Sequence, residues 1–129
     1  MGSLVKRIAL TVLLSVSVTT LAQADTRKYP DVINVSVTQT GDARYRFDVT
    51  LSSPYDSPER YADAFRVKTA EGQTLGVREL LHHHANEQPF TRSLNNVEVP
   101  DGIADVIVQG RDQTHGYGGA VKNVALPGR

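Results

Sequence analysis

The chain has 129 residues, with 14 lysines and arginines against 14 aspartates and glutamates, and it contains neither cysteine nor tryptophan. The absence of cysteine excludes disulfide bonds, thiolate metal sites and thiol catalysis, so the fold must be held together by its core alone. The balanced charge argues against nucleic acid or an anionic membrane surface as a partner, because both require a clustered surplus of basic residues.

The first 24 residues have the pattern of a cleavable secretory signal peptide. Lys6 and Arg7 form a basic region, an apolar run covers residues 8–18, and the letters AQA at residues 22–24 give the small-x-small pattern of a cleavage site before Asp25. An uncleaved membrane anchor is the alternative, but the apolar run is shorter than the roughly 20 residues that span a bilayer. Lipid attachment is excluded because no cysteine follows the run. We therefore expect a periplasmic or secreted protein whose mature part carries 12 basic and 14 acidic residues, a net charge of −2.

Beyond the leader, alternating apolar and polar residues predict strands and no helix. Residues 25–30 are expected to form a flexible lead-in. A bulge is expected near residues 79–80 and a kink at residues 95–96, where the alternation breaks. The predicted strands cover residues 33–38, 45–51, 65–67, 75–81, 90–94 with a possible extension to 99, 103–109 and 121–126.

Seven short strands separated by turn signals predict a single seven-stranded antiparallel β-sandwich over residues 31–129. The pattern resembles the immunoglobulin and fibronectin type III architecture, without the cysteine pair and core tryptophan of immunoglobulin domains. If the strands run alternately up and down, the loops at residues 52–60, 82–89 and 112–119 lie at one end of the sandwich. All four histidines fall on two of these loops.

The histidines suggest a metal site. His82 and His84 are two residues apart and project to the same side of an extended segment, so both imidazoles can reach one ion. His115 would supply a third nitrogen, and Glu87 or Asp112 an oxygen. Such a ligand set suits Zn²⁺ or Cu²⁺. Asp112 is alternatively expected to accept the spare N–H of an imidazole.

The alternative interpretation is a polar loop surface without metal, because no spacing here matches an established zinc motif. His83 then packs on the rim of the core, and Tyr117 lies over the rim within a glycine-rich hairpin loop. Tyr55 on the first loop and Arg92 at the start of the fifth strand complete a surface suited to a ligand or partner.

The sequence contains no catalytic constellation, since neither a spaced carboxylate pair nor a serine nucleophile motif is present. The leading hypothesis is an exported binding or accessory module and not an enzyme, with another exported protein or a small ligand as its partner. The alternative is a periplasmic copper- or zinc-binding protein. A metalloenzyme that uses the same imidazoles is held in reserve.

Overall fold

The computed structural model describes residues 11–15 and 26–129. The predicted basic region, the cleavage site and much of the apolar run lie outside the described residues. Within the described ranges, no helix is long and apolar enough to cross a membrane.

The described chain is all-β, and the predicted sandwich is confirmed. Two antiparallel sheets form, one of three strands in the order β1-β2-β5 and one of four strands in the order β4-β3-β6-β7. The strands are β1 (Asp31–Gly41), β2 (Arg44–Ser52), β3 (Ala62–Lys68), β4 (Thr74–Glu79), β5 (Phe90–Glu98), β6 (Asp105–Asp112) and β7 (Gly116–Ala125).

The fourth strand pairs with the third, a point that the sequence pattern left open. In constant-type immunoglobulin domains the fourth strand joins the sheet of the fifth. Here β4 forms an antiparallel hairpin with β3, in which Phe65 lies opposite Arg78. The turn between these strands is short, and Gly72 takes a φ of 97° there, which a residue without a side chain adopts at no steric cost. The tight turn therefore keeps β4 beside β3.

The core lies between the two sheets and consists of their inward-facing side chains. Strand β2 contributes most, because each of its alternate apolar residues is fully buried, as the period of two predicts. Burying one large apolar side chain stabilises the fold by about 1.5–3 kcal/mol. The buried apolar cluster consists of Val32, Tyr45, Phe47, Val49, Leu51, Ala62, Phe65, Val67, Leu80, Phe90, Val97, Val99, Val106, Val108 and Leu126.

The kink expected in the fifth strand is present, and the strand continues past it. Asn96 has a φ of 54°, and the pairing of β5 with β2 shifts register between Tyr45 and Phe47. One residue of β2, Arg46, therefore faces two residues of β5, Asn95 and Asn96, which is a β-bulge. Asparagine tolerates this left-handed conformation better than most residues.

Part of the segment that was expected to be a flexible lead-in, residues 25–30, packs against the sandwich before β1 begins. Pro30 is buried, and Tyr29 is half-buried. A Cβ at Gly118 would lie 2.4 Å from the Tyr29 ring, and one at Gly110 would lie 2.6 Å from Pro30. The described part of the lead-in therefore packs across β6 and β7 in a groove that only glycine leaves open.

Candidate functional site

The loops at residues 53–61, 80–89 and 113–115 meet at one end of the sandwich, as predicted; we call this the loop end. Gln88 joins two of them. Its side-chain oxygen accepts from the Ser53 N–H at 2.7 Å, and its amide donates to the Ser53 hydroxyl and to the His84 carbonyl oxygen. Asp56 adds a second link, since its carboxylate accepts from the N–H groups of Ala62 and His84 at 2.9 Å each. These bonds fix the loops relative to each other.

Asp112 is the third link of the loop end, and it is fully buried. One carboxylate oxygen accepts from the Arg60 guanidinium at 2.8 Å, and the other accepts from the backbone N–H groups of Thr114 and His115 at 2.9 and 2.8 Å. Burial by itself raises the pKa of Asp112, but the backbone N–H groups of His115 and Thr114, the nearby Tyr55 hydroxyl and the charge of Arg60 hold that pKa below its ordinary value. Both oxygens have structural partners, so Asp112 is not positioned as a metal ligand.

Tyr55 supports this carboxylate instead of forming an open ligand surface. Its ring lies under the guanidinium of Arg60, 4.0 Å from the centroid. Burial, followed by the nearby Asp112 carboxylate, raises the pKa of the Tyr55 hydroxyl. The hydroxyl is close enough to Asp112 for this effect but does not meet ordinary hydrogen-bond geometry. The tyrosine therefore belongs to the framework of the loop end.

The histidines separate into a pair and two single residues. The rings of His82 and His84 lie 4.7 Å apart, whereas His115 packs edge-on against Tyr29 at 6.2 Å. His83 accepts a hydrogen bond from the Ala85 N–H within its own loop. Within residues 11–15 and 26–129, no three histidine, aspartate or glutamate side chains are grouped so that they could hold a metal ion. The structure therefore does not support the metal site predicted from His82, His84 and His115.

Glu87 also has a partner other than an ion. Its carboxylate pairs with the Arg92 guanidinium at 3.1 Å on the exposed side of the loop. This ion pair at the start of β5 occupies the carboxylate that was considered as a metal ligand.

Tyr117 lies outside the loop end, because the glycine-rich segment belongs to a strand. Gly116 and the residues after it pair with β6 as the first part of β7, so the predicted loop at residues 112–119 shrinks to residues 113–115. The Tyr117 ring is covered by the Arg66 guanidinium at 3.9 Å, and Arg111 lies 5.7 Å away. Tyr117 therefore lies in a strand instead of the expected loop, since pairing across the hairpin uses these glycines as strand residues.

A cavity of about 350 Å³ opens beside the histidine pair, at the junction of β4 and β5. We call it the Arg78–Arg92 cavity. Leu81 stands exposed at its rim with 82% of its surface accessible, and Leu80 is buried below. The lining residues are Arg78, Glu79, Leu80, Leu81, His82, His84 and Arg92.

His84 is the unusual member of this lining. It is only 3% exposed, and its ring stacks on Phe90 at 4.0 Å with the two planes 8° apart. Neither ring nitrogen has a hydrogen-bond partner among the described residues. Burial, then the positive charge of Arg92 and the neighbouring His82, lowers the pKa of His84. The ring is therefore held neutral, with one N–H donor and one acceptor uncommitted.

The sequence pattern identified His82, His84 and Arg92 but missed Arg78 and Leu81. The available signal was the break in alternation after Glu79, where two leucines follow each other and only Leu80 turns inward. The stacking of His84 on Phe90 had no sequence signal, because it depends on how the loop folds back over β5.

No family model matches the chain. A protein of Halomicrobium mukohataei named "Putative lipoprotein" is 47% identical over 89 residues, which are 69% of this chain and 43% of that protein. The chain therefore spans less than half the length of that relative. A superoxide reductase from Giardia intestinalis is a similar solved structure, with a TM-score of 0.42 and 13% identity over 74% of this chain and 99% of that one.

Proposed function

We propose that this chain is an exported β-sandwich binding module that recognises its ligand or partner at the loop end, through the Arg78–Arg92 cavity. The partner is a small ligand or a segment of another exported protein. The linked loops support this proposal, because recognition surfaces usually lie on loops that a rigid scaffold positions. The exposed Leu81 at the rim supports it further, since it offers apolar surface next to polar groups.

The observation that carries the proposal is the state of His84. A buried polar group that lacks a hydrogen bond costs a folded protein about 1–3 kcal/mol. Such groups are uncommon in native proteins and are often found where a ligand binds. His84 lines a cavity of about 350 Å³, within the range of roughly 300–1,000 Å³ that ligand sites occupy. Because both nitrogens are closed to solvent, a ligand would reach them only if the ring or the neighbouring His82 shifts.

Two observations support export. The first 24 residues have the composition of a secretory signal, and the relative from Halomicrobium mukohataei is named as a lipoprotein. Lipid attachment of that kind uses a cysteine, and these 129 residues contain none. We therefore propose a periplasmic or secreted location without a lipid on this chain.

Copper or zinc binding was the alternative expected from the sequence, and only the close approach of the His82 and His84 rings speaks for it. Two imidazoles fall short of the three or four ligands that zinc sites use. The guanidinium groups of Arg78 and Arg92 line the same cavity and would repel a cation there. The positively charged lining therefore favours an anion over a metal cation.

Two experiments test the binding function. Protein expressed from the full sequence without a histidine tag is titrated with amino acids, short carboxylic acids, sugars and nucleotides, and amide shifts are followed by NMR. In parallel, a photo-reactive residue replaces Leu81 or, as a matched exposed control at the opposite end, Asp101. We expect one class of ligand to shift the amide signals of residues 80–92. Alternatively, we expect the photo-reactive residue at position 81 to form crosslinks that the one at position 101 does not form. Ligand shifts confined to the opposite end, or no preference for the loop end in either experiment, would refute the proposal.

A further inference from the structure

We propose that the Arg78–Arg92 cavity binds a carboxylate that carries a short apolar group, with the two guanidinium groups as its hydrogen-bond donors. This inference rests on the proposed binding function and specifies the chemistry of its ligand. It draws on four properties of the cavity: unused donors, a neutral buried imidazole, the charge of the lining and an apolar wall.

The two arginines retain donors for a ligand. Arg92 donates to the Thr91 carbonyl oxygen at 2.8 Å and to Glu87 at 3.1 Å, and Arg78 donates to the Ser93 carbonyl oxygen at 2.9 Å. A guanidinium group has five N–H donors, so each of these contacts leaves most of them unused. Paired N–H groups of arginine match the two oxygens of a carboxylate, which makes such contacts both directional and strong.

His84 gives the cavity a rigid and uncharged wall. Its ring is fixed between Phe90 and His82, so a ligand need not immobilise it. Burial and the charge of Arg92 lower the pKa of His84, so the ring adds no positive charge to the lining. Both ring nitrogens are closed to solvent, so the donors that face a ligand are those of the two arginines.

The charge of the lining favours one negative charge over two. Arg78 and Arg92 contribute two positive charges, and Glu79 contributes one negative charge. A monoanion leaves the cavity neutral, whereas sulfate or doubly charged phosphate would leave excess negative charge near Glu79. Glu87 competes for Arg92 from outside, but it is 59% exposed on its side chain, and exposed ion pairs are weak. A carboxylate therefore fits better than a dianion.

Leu80 and Leu81 give the cavity an apolar wall, and the volume is near the lower limit for ligand sites. These features suit a small organic acid or the last residue of a polypeptide, whose terminal carboxylate stands beside an apolar side chain. A small organic acid and a polypeptide terminus present the same chemistry to the cavity, and probes of each kind distinguish between them.

The test measures dissociation constants by NMR titration of the full chain, without a tag. The probes are butyrate and its amide, butyramide, and the dipeptide acetyl-alanyl-leucine as its carboxylate and as its amide; sulfate is the dianion control. We expect each carboxylate that binds to do so at least tenfold more tightly than its amide and than sulfate. Preference for butyrate indicates a free acid, and preference for the dipeptide indicates a chain terminus.

Variants assign the donors. Arg92→Gln and Arg78→Gln should each weaken carboxylate binding about tenfold or more, as expected when a hydrogen bond to a charged group is lost. Arg44→Gln makes the same charge change at the opposite end of β2 and should leave binding unchanged. Glu87→Gln should tighten binding by releasing Arg92. Arg92→Lys keeps the charge without the paired donors and serves if the glutamine variant does not fold.

Equal binding of a carboxylate and its amide, or binding that both glutamine variants leave unchanged, would overturn the carboxylate assignment. So would failure of all carboxylates while another ligand class shifts residues 80–92, although in that case the binding function itself would stand. If no ligand of any class acts at the loop end and position 81 forms no specific crosslink, both proposals fail together.

Discussion

Asp112→Ala should destabilise the protein more than any other single change in the loop end. The fully buried carboxylate accepts from Arg60, Thr114 and His115, so the substitution removes the partners of one guanidinium group and two backbone N–H groups. Two unsatisfied amides at about 1–3 kcal/mol each give a loss of about 2–6 kcal/mol. Water can reach residues 113–115 and part of Arg60, so we expect the lower part of that range, about 2–4 kcal/mol.

Urea unfolding measures this loss as a change in the free energy of unfolding. Asp105→Ala is the matched control, because it removes an exposed carboxylate from the same strand and should change stability by less than about 0.5 kcal/mol. Asp112→Asn retains an acceptor for the backbone donors and should cost less than alanine. A loss below about 1 kcal/mol in Asp112→Ala would refute the view that this carboxylate links the loops.

The same carboxylate makes a prediction about pH. Its pKa is lower in the folded protein than the value of about 3.9 in an unfolded chain, so the unfolded state binds a proton first as the pH falls. The stabilisation by Asp112 is therefore complete above about pH 4 and is lost as the pH falls through the folded pKa. The stability difference between the wild type and Asp112→Asn should narrow below pH 4 in urea unfolding at several pH values. A difference that stays constant down to pH 2 would contradict this.

Three further predictions concern single side chains. His84→Phe should raise the free energy of unfolding by about 1–2 kcal/mol at pH 5, because it removes two buried nitrogens that have no partner. It also removes a group whose lowered pKa makes the wild type lose stability as the pH falls below about 6.5. The control His115→Gln should leave that pH dependence intact, and unchanged stability of His84→Phe in urea unfolding would contradict the prediction. Gly118→Ala should lower the free energy of unfolding by about 1–3 kcal/mol, since its Cβ would overlap the Tyr29 ring. Gly41→Ala is the control, because its Cβ would meet its nearest neighbour only at 3.9 Å. Equal midpoints of thermal unfolding for the two variants would contradict the prediction, because they would show that Tyr29 moves aside without loss of stability. Leu81→Ala should leave the midpoint of thermal unfolding unchanged, because the side chain is 82% exposed, and it should reduce the NMR shift changes that a ligand causes at residues 80–92. A lower midpoint would mean that Leu81 packs on the fold.

Strand positions could be predicted because they depend on a local pattern. Along β2 every second residue is apolar, and one face of the strand must be buried, so the alternation determines which side chains point inward. The bulge at Asn96 was also visible, since two polar residues interrupt an otherwise regular alternation. The placement of three loops at one end followed from the up-and-down course of the strands.

The candidate site was predicted only in part. His82, His84 and Arg92 do line one cavity, because they lie on a loop and on the strand that follows it. Whether His115 joined them depended on where the β6–β7 hairpin turns, and the glycines there suit a loop and a crowded strand equally well. Arg78 had no sequence signal, because arginine is common on exposed strands.

The sequence by itself determined the all-β class, the strand positions and the end of the sandwich at which the polar loops meet, because each of these follows from the two-residue period and the turn residues. Tertiary structure alone decided the rest. It determined that β4 pairs with β3 and that Tyr29 and Pro30 pack against the glycines of β7. It also formed the ion pair between Asp112 and Arg60 and buried His84 against Phe90 beside two arginines. These outcomes depend on contacts between residues far apart in the chain, whose geometry no local period encodes.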